Sequence, residues 1–277
     1  MNIMKPIQPY FVMSTLHYKK GISANRGIAH FYNYYQDSFN VNNVIAIPDG
    51  CVDMLFEKDD AGLRGKVCGT VLENTIIDNK NDKEYFGVRF LPGVLPTIVD
   101  ASMTELVENQ IDLTDLILDK DLIKRMEEAK TMQDTIKIFL ASYDACVSKK
   151  SITNNHEGAI KLVEFVKNEI FKSYGNIRIE EVAEKTGYTT RYINQLFNQF
   201  VGISPKTFSK IIKFQNVIQA INRNSSSTLT QLGIDTGYYD QSHFIKDFKK
   251  FAALTPKDYR KMIIENDYNH RLEVIEV

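Results

Sequence analysis

The feature that most constrains this chain is a repeat of part of itself. Gly187-Tyr188 returns as Gly237-Tyr238, and IxxLFNQFVGISPKTF, starting at Ile193, matches FxxDFKKFAALTPKDY, starting at Phe244. The offset of 51 residues pairs Phe197 with Phe248, Phe200 with Phe251, Ser204 with Thr255, Pro205 with Pro256 and Phe208 with Tyr259. One extra residue after Gly237-Tyr238 makes the offset 50 at the glycines. So many aligned aromatics and turn residues mean one supersecondary unit used twice.

Each copy reads as helix, tight turn, helix. In the first, Arg178 to Thr186 places Ile179, Val182 and Ala183 on one face, and Gly187 ends the helix by adopting positive φ. Thr189 or Thr190 caps the next helix, which runs to about Val201 with Ile193, Leu196, Phe197 and Phe200 inward. The second copy runs from Leu229 to Thr236, turns at Gly237 and is capped by Asp240. Its second helix, Gln241 to about Ala252, turns Phe244, Ile245, Phe248 and Phe251 inward. Ser204-Pro205 and Thr255-Pro256 each supply a cap followed by a proline at the first helical position, so a further helix follows each unit. The first of these, about Pro205 to Ile221, spans about 25 Å at 1.5 Å per residue.

A helix-turn-helix lays its second helix in a major groove, and two units on one face of B-DNA sit about 34 Å apart, a separation a rigid connecting helix can hold. With the apolar positions taken by the core, Arg191, Asn194, Gln195, Asn198 and Gln199 remain outward in the first unit. Gln241, Ser242, His243, Lys246 and Lys249 remain outward in the second. Arg, Asn and Gln are the side chains able to make bidentate contacts with base edges. The total charge at first opposes a polyanionic partner, because 34 Lys+Arg stand against 35 Asp+Glu, a net −1. That sum hides a division: residues 1–155 carry −4 and residues 156–277 carry +3. The window Lys185 to Lys261 holds 12 basic and 4 acidic residues, net +8, which is the electrostatic footprint of a nucleic-acid module. From charge alone, a solvated lysine-rich helical surface would be the default reading.

The stretch from about Ile160 to Met262 carries VAEKTGYTTRYINQLFNQFVGISPKTF, then KFQNVIQAI, then GYYDQSHFIKDFKKFAALTPKDYR. It resembles the DNA-binding region of the AraC/XylS transcription regulators. The resemblance implies double-stranded DNA and RNA polymerase as partners. It places Arg191, Asn194 and Gln195, with Gln199 beside them, toward bases in the first unit, and Gln241, Ser242, His243 and Lys246 in the second. Phosphate contacts are expected from Thr190, Lys206, Lys210, Lys257 and Arg260 and from helix N-termini. Thr190 is equally explained as a cap, and Lys210 as part of a solvated face. Two departures from the family pattern bear on the second unit. Leu232-Gly233 replaces Ile-Ala, and a glycine inside a helix costs about 1 kcal/mol relative to alanine. Ala253 stands where a glycine is usual. Both suggest a second unit that is looser or differently capped.

The N-terminal half reads differently. Up to about Pro92 it shows short β-type runs, at Tyr10 to His17, Gly27 to Tyr35, Asn43 to Pro48, Cys51 to Phe56, Thr75 to Asp78 and Tyr85 to Leu91. After Pro96 the pattern is helical, with Leu122, Ile123, Met126 and Ala129 on one face and Met132, Ile136, Phe139, Leu140, Tyr143 and Val147 on another. SKKSITNNHE, Ser148 to Glu157, reads as a linker, and everything beyond it as helix or turn. IPDGCVDMLF (Ile47 to Phe56) and FGVRFLPGVLPTIVDASMTELVENQIDLTDL (Phe86 to Leu116) resemble the β-rich N-terminal domain of one branch of the same family. The expected fold is α+β. A β-rich, cupin-like barrel domain with helices (1–118) precedes a helical connection (119–155) and an all-α double helix-turn-helix domain (156–277).

Chemistry in this half is sparse. His17 and His30 are its only histidines and no HxH or HxxxE pair is present, so neither metal nor cofactor is expected. Three cysteines, odd in number and widely spaced, suggest no disulfide framework. Cys51 reads as a buried small hydrophobe rather than a reactive thiol. Arg89 alternates with Val88 and Phe90, so a strand sends it to the opposite face. If buried there it needs a carboxylate, from Asp49 or Asp53 or from an anionic ligand, and the internal pair is favoured. Asp49, Cys51, Asp53 and Arg89 form the speculative effector set. Phe11, Phe31, Tyr32, Tyr34, Tyr35, Phe56, Tyr85 and Phe86 either line a pocket or, for the most part, fill the core.

The expected protein is a cytoplasmic, sequence-specific regulator, an activator by resemblance, and not an enzyme. A small-molecule effector, homodimerisation or both would act through the N-terminal domain, with docking of sensor on DNA module through the helices between Leu122 and Phe171 as the switch. No apolar run reaches the roughly 18 residues of a membrane span, and Met1 to Tyr10 lacks the apolar core of a signal peptide. One alternative is a DNA binder without effector, controlled by abundance or a protein partner. Another, from a different class, is a β-barrel enzyme joined to a DNA-binding tail, although the chain has no GxSxG and no Gly-rich phosphate loop.

Overall fold

A computed structural model describes residues 5–22, 26–36, 44–77, 80–150, 157–223 and 228–276. The chain begins with α1 (Pro9–Ser14), β1 (Leu16–Ile22), β2 (Ile28–Gln36), β3 (Val44–Ala46), β4 (Asp53–Asp59), β5 (Gly62–Cys68), β6 (Thr75–Ile77) and β7 (Lys83–Phe90). It continues through α2 (Met103–Leu106), β8 (Gln110–Asp112), α3 (Leu113–Leu116), α4 (Leu122–Glu127) and α5 (Met132–Lys150). The C-terminal part holds α6 (Glu157–Lys172), α7 (Ile179–Thr186), α8 (Thr190–Val201), α9 (Pro205–Asn222), α10 (Leu229–Asp235), α11 (Gln241–Ala252), α12 (Pro256–Glu265), α13 (Tyr268–Arg271) and β9 (Glu273–Glu276).

The α+β class holds. Seven strands form one mixed sheet in the order β8-β5-β4-β7-β2-β1-β9, and β3 pairs with β6 separately. The main sheet ends in β8 and β9 as edges, so the described strands do not close into the expected cupin-like barrel. Alternation divides its side chains cleanly. One face sends Phe31, Met54, Phe56, Val67, Val88 and Phe90 against α4 and α5. The other carries Tyr18, Tyr32, Tyr34 and Tyr85, with Arg89 beside His30 and Asp53 in register. Gly87 makes room on that face, since a Cβ there would lie 2.0 Å from the Tyr32 ring.

Several sequence expectations fail, each where a local pattern was silent about distant partners. Tyr10 to His17 is not one strand: residues 9–14 are helical, with Pro9 at the start, and Tyr10 through Met13 are all buried. A continuous apolar run does not distinguish helix from strand. Beyond Pro96 the chain is not purely helical, because β8 adds to β5 and Val99 bridges Ile117. Nor is the last part only helix and turn, since β9 runs parallel to β1, with Lys19 opposite Glu273. Of the expected linker, 148–150 extend α5 and Glu157 opens α6, while 151–156 lie outside the described residues.

One hydrophobic core crosses the molecule. It joins Tyr10 to Met13 and the tyrosine face of the sheet to Phe214, Val217, Phe248, Tyr259 and Tyr268 of the C-terminal part. The Tyr10 hydroxyl donates to the Ala252 carbonyl, and its ring meets Tyr259 edge-on at 6.3 Å. Arg271 Nη1 donates to the Met13 carbonyl at 2.6 Å. Gln215, fully buried on α9, accepts from Ile7 N–H at 3.0 Å and donates to Pro48 O at 2.9 Å. Contact between the two halves therefore runs through α1, the 47–50 loop and α9, and also through α2 against α8 and β9 on β1. The stretch Leu122 to Phe171 contributes Lys167 Nζ, which donates to Gly93 O at 3.2 Å.

Candidate nucleic-acid interface

The repeat is built as two helix-turn-helix units joined by α9. In the first, Gly187 takes φ 71° at the end of α7, and Thr189 Oγ1 accepts from Tyr192 N–H to cap α8. In the second, Gly237 takes φ 83°, and Asp240 accepts from His243 N–H to cap α11. Ser204 and Thr255 cap α9 and α12 by the same contact to the third residue on, each followed by proline. Ile193, Leu196 and Phe197 of α8, and Phe244, Phe248 and Phe251 of α11, are buried. Ile245, expected inward, is instead exposed.

Burial of one stripe leaves the opposite stripe in solvent. Arg191, Gln195 and Gln199 are exposed on α8, as are Gln241, Ser242, His243 and Lys246 on α11. Asn194 is half-buried, and its Nδ2 donates to Thr190 O at 2.8 Å, which leaves its amide oxygen and second N–H for another partner. His243 Nε2 lies 3.4 Å from Asp247 Oδ2. Of the expected phosphate contacts, Lys206, Lys210 and Lys257 are exposed, while Thr190 and Arg260 are half-buried. One Arg260 terminal nitrogen, Nη2, is buried without a hydrogen-bond partner, so that side chain is partly turned into the fold. Sequence reasoning missed the exposed tyrosines at the head of each outward helix. Tyr188 and Tyr192 pack at 5.3 Å, and Tyr239 is 95% exposed. The repeated Gly-Tyr marked the neighbourhood, but Tyr239 stands where the first copy has Thr189, which removes the alignment cue.

The speculative effector residues also come together. Arg89 is buried between two carboxylates: it reaches Asp53 through Nε and Nη2, the latter at 2.8 Å, and Nη1 lies 3.1 Å from Asp49 Oδ2 without hydrogen-bond alignment. Burial disfavours the guanidinium charge, but Asp53 and Asp49 outweigh it and keep Arg89 protonated. Burial raises the Asp53 carboxyl against the pull of Arg89. Gln8 Nε2 donates to Asp49 Oδ2 and to Ile47 O, linking the cluster to α1. Asp49, Cys51, Asp53 and Arg89 line a cavity of about 90 Å³ together with Phe11 and Tyr32. Burial pushes the Cys51 thiol up, reinforced by Asp49, and pushes Cys68 on the same wall up to about 12. Cys51 precedes β4 rather than lying within it. Neither thiol is activated.

Comparison with known proteins agrees with this geometry. A helix-turn-helix domain family matches residues 182–262, and a family described only as a domain of unknown function matches residues 25–112. The XylDLEGF operon transcriptional activator of Pseudomonas putida is 21% identical over 221 residues, 76% of this chain and 64% of that protein. The lactose operon transcription activator of Staphylococcus xylosus is 26% identical over 98 residues, 35% of this chain and 34% of that one. An uncharacterized HTH-type transcriptional regulator of Haemophilus influenzae is 29% identical over 85 residues, 31% of this chain and 28% of that one. The chain spans less than two thirds of the length of each of these relatives. Among solved structures, a single-residue variant of apo ToxT from Vibrio cholerae aligns over 87% of this chain and 99% of that one, at 13% identity and a TM-score of 0.43. The C-terminal domain of AraT from Geobacillus stearothermophilus aligns over 36% and 84%, at 23% identity and a TM-score of 0.35.

The C-terminal part of the chain is thus a helix-turn-helix DNA-binding domain. Its two units, their connecting helix and the β-rich part in front of them fit one group of such proteins. Residues 182–262 carry that domain, and the chain is similar to AraC/XylS-type regulators.

Proposed function

We propose that this protein binds duplex DNA at a specific sequence and regulates transcription from it, and that it works in the cytoplasm. What supports this most is the doubled unit itself, two capped helices that each keep a polar, carboxylate-poor stripe in solvent over an apolar core. Arg191, Gln195 and Gln199 read bases in one major groove, with Asn194 beside them. Gln241, Ser242, His243 and Lys246 read the next. Lys206, Lys210 and Lys257 hold phosphates, with smaller parts for Thr190 and Arg260. Arg191→Ala then relaxes base preference and costs about 1–3 kcal/mol on the preferred site. An equal loss on preferred and scrambled duplexes would reassign Arg191 to a phosphate.

The N-terminal domain is the controlling part. Its cavity beside Asp49, Asp53 and Arg89 is the candidate effector site, and Pro48, next to Asp49, touches the connecting helix through Gln215. At about 90 Å³ the cavity suits a small polar molecule, well below the ~300 Å³ of a typical ligand pocket. A thermal-shift screen of small polar metabolites, repeated on Asp53→Asn, tests it: a ligand whose shift survives that change binds elsewhere. Homodimerisation and contact with RNA polymerase are further parts of this reading. The small cavity equally suits the alternative of a DNA binder without effector, and a screen with no hit favours it.

A further inference from the structure

Between the two helix-turn-helix units lies a groove of about 470 Å³. Thr190 and Asn194, at the start of α8, form one wall, and His243 and Asp247 of α11 form the other. Its floor is the outer side of α9, where Lys206, Lys210 and Lys213 recur at helical spacing, and Arg178 enters from the start of α7. Residues four and three apart share one helix face, so the three lysines form a single row. None of these four cations has a carboxylate partner within salt-bridge distance among the described residues, unlike Lys172 and Lys185, which pair with Glu169, and Lys250, which pairs with Glu73. Glu180 and Asp247 are the acidic groups lining the groove; Asp247 lies 3.4 Å from His243 Nε2 and its charge is also felt by Lys213. Ser209, 7% exposed between Lys206 and Lys210, also lines it, and its hydroxyl has no hydrogen-bond partner. Lys213 is held in place by donating to Gly237 O at 3.0 Å, with its ammonium 5.0 Å from the centre of the Tyr238 ring, which leaves two N–H groups free.

A positive, elongated groove with an unsatisfied buried hydroxyl, set between two groove-reading helices, has the chemistry of a phosphodiester track. When two helices enter successive major grooves on one face of a duplex, a DNA backbone must pass between them. We propose that this groove seats that backbone segment, with Arg178, Lys206, Lys210 and Lys213 on its phosphates and Ser209 donating to a phosphate oxygen. Arg178 and Lys213 are new members of the interface. The groove thereby sets the spacing of the two sequence elements, because the phosphates that join them are themselves held. This rests on the DNA-binding reading above.

The test uses the full chain and the duplex it selects from a randomised library; selection of no duplex overturns the DNA reading and the proposal together. On the selected duplex, affinity is measured against salt for the natural chain, Arg178→Gln, Lys213→Gln and the double variant. Each removed phosphate contact lowers the slope of log affinity on log salt by about 0.9, or about eightfold less weakening per decade of salt. The loss is the same on selected and scrambled duplexes, and Lys213→Arg retains the slope. Neutral methylphosphonate linkages between the two sequence elements abolish the difference between the natural chain and the double variant. Unchanged slopes in both single variants, with Arg191→Ala still relaxing base preference, overturn the groove and leave DNA reading intact. A Lys213→Gln loss without a slope change overturns its role on phosphate, leaving only its tie to Gly237.

Discussion

Ala253 shows what a single residue can reveal about a repeat. It is aligned with Gly202, and both end their helices in the left-handed region, at φ 61° and φ 81°. The second unit therefore keeps the turn geometry of the first without the residue that adopts it freely. A side chain there costs about 1–2 kcal/mol, partly offset by the greater freedom glycine has when unfolded. Ala253→Gly should raise unfolding stability by about 1 kcal/mol in urea titration, and no gain would mean the strain is relieved elsewhere. Gly233, the other departure, has a packing reason, because a Cβ would sit 3.2 Å from the Phe244 ring. His30 carries a pH prediction. Burial holds its imidazole well below the usual value, with Lys20, Arg89 and Lys5 adding to the effect, and its Nδ1 has no partner. The unfolded chain takes up a proton below about pH 6.5 that the folded chain refuses, so stability is present above that pH and lost as pH falls. Between about pH 7 and 5 the natural chain should lose more stability than His30→Leu, by up to about 1.4 kcal/mol per unit in the acid part of that window. Parallel curves would show that His30 is protonated in the fold.

At the scale of elements, legibility followed the range of the forces involved. The turns at Gly187 and Gly237 and the caps at Thr189, Ser204, Asp240 and Thr255 are all satisfied within three or four residues, so they could be read directly from the chain. Arg89 was half legible: alternation gave its face and burial its need for a carboxylate, but not that both Asp49 and Asp53 would meet it. Residues 9–14 and β9 were not legible, because their conformations depend on partners more than 200 residues away. Ile245 has the spacing of a core residue but is left exposed by the described residues. Gly187 and Gly202 separate local from distant demands. Both have positive φ, yet a Cβ at Gly187 meets nothing within 4 Å, while one at Gly202 would lie 2.7 Å from Met103 O of α2. Gly187→Ala should cost about 1–2 kcal/mol, the strain alone. Gly202→Ala should cost more and also speed hydrogen exchange at 103–106. Equal costs would show that α2 yields freely.

At the scale of the whole molecule, the two helix-turn-helix units are held unequally. The first has its own core, from Leu162 to Ile212, whereas the core of the second is completed by Tyr10, Phe11, Val12 and Met13. Tyr10→Ala should therefore speed amide exchange in 229–265 far more than in 179–201, with a global loss of about 3–5 kcal/mol for a buried aromatic. Equal protection of both units would refute the unequal anchoring. Gln215 places a polar contact at the middle of α9, so a shift of Pro48 relative to the connecting helix must break a buried hydrogen bond. The pairing of β9 with β1 has a further consequence, in the order of synthesis. Lys19 of β1 leaves the ribosome 254 residues ahead of its partner Glu273, so the β1 edge stays open while everything between them is made. The sheet is finished only after both α8 and α11 exist. Completion of the N-terminal sheet thus waits for the C-terminal part of the chain.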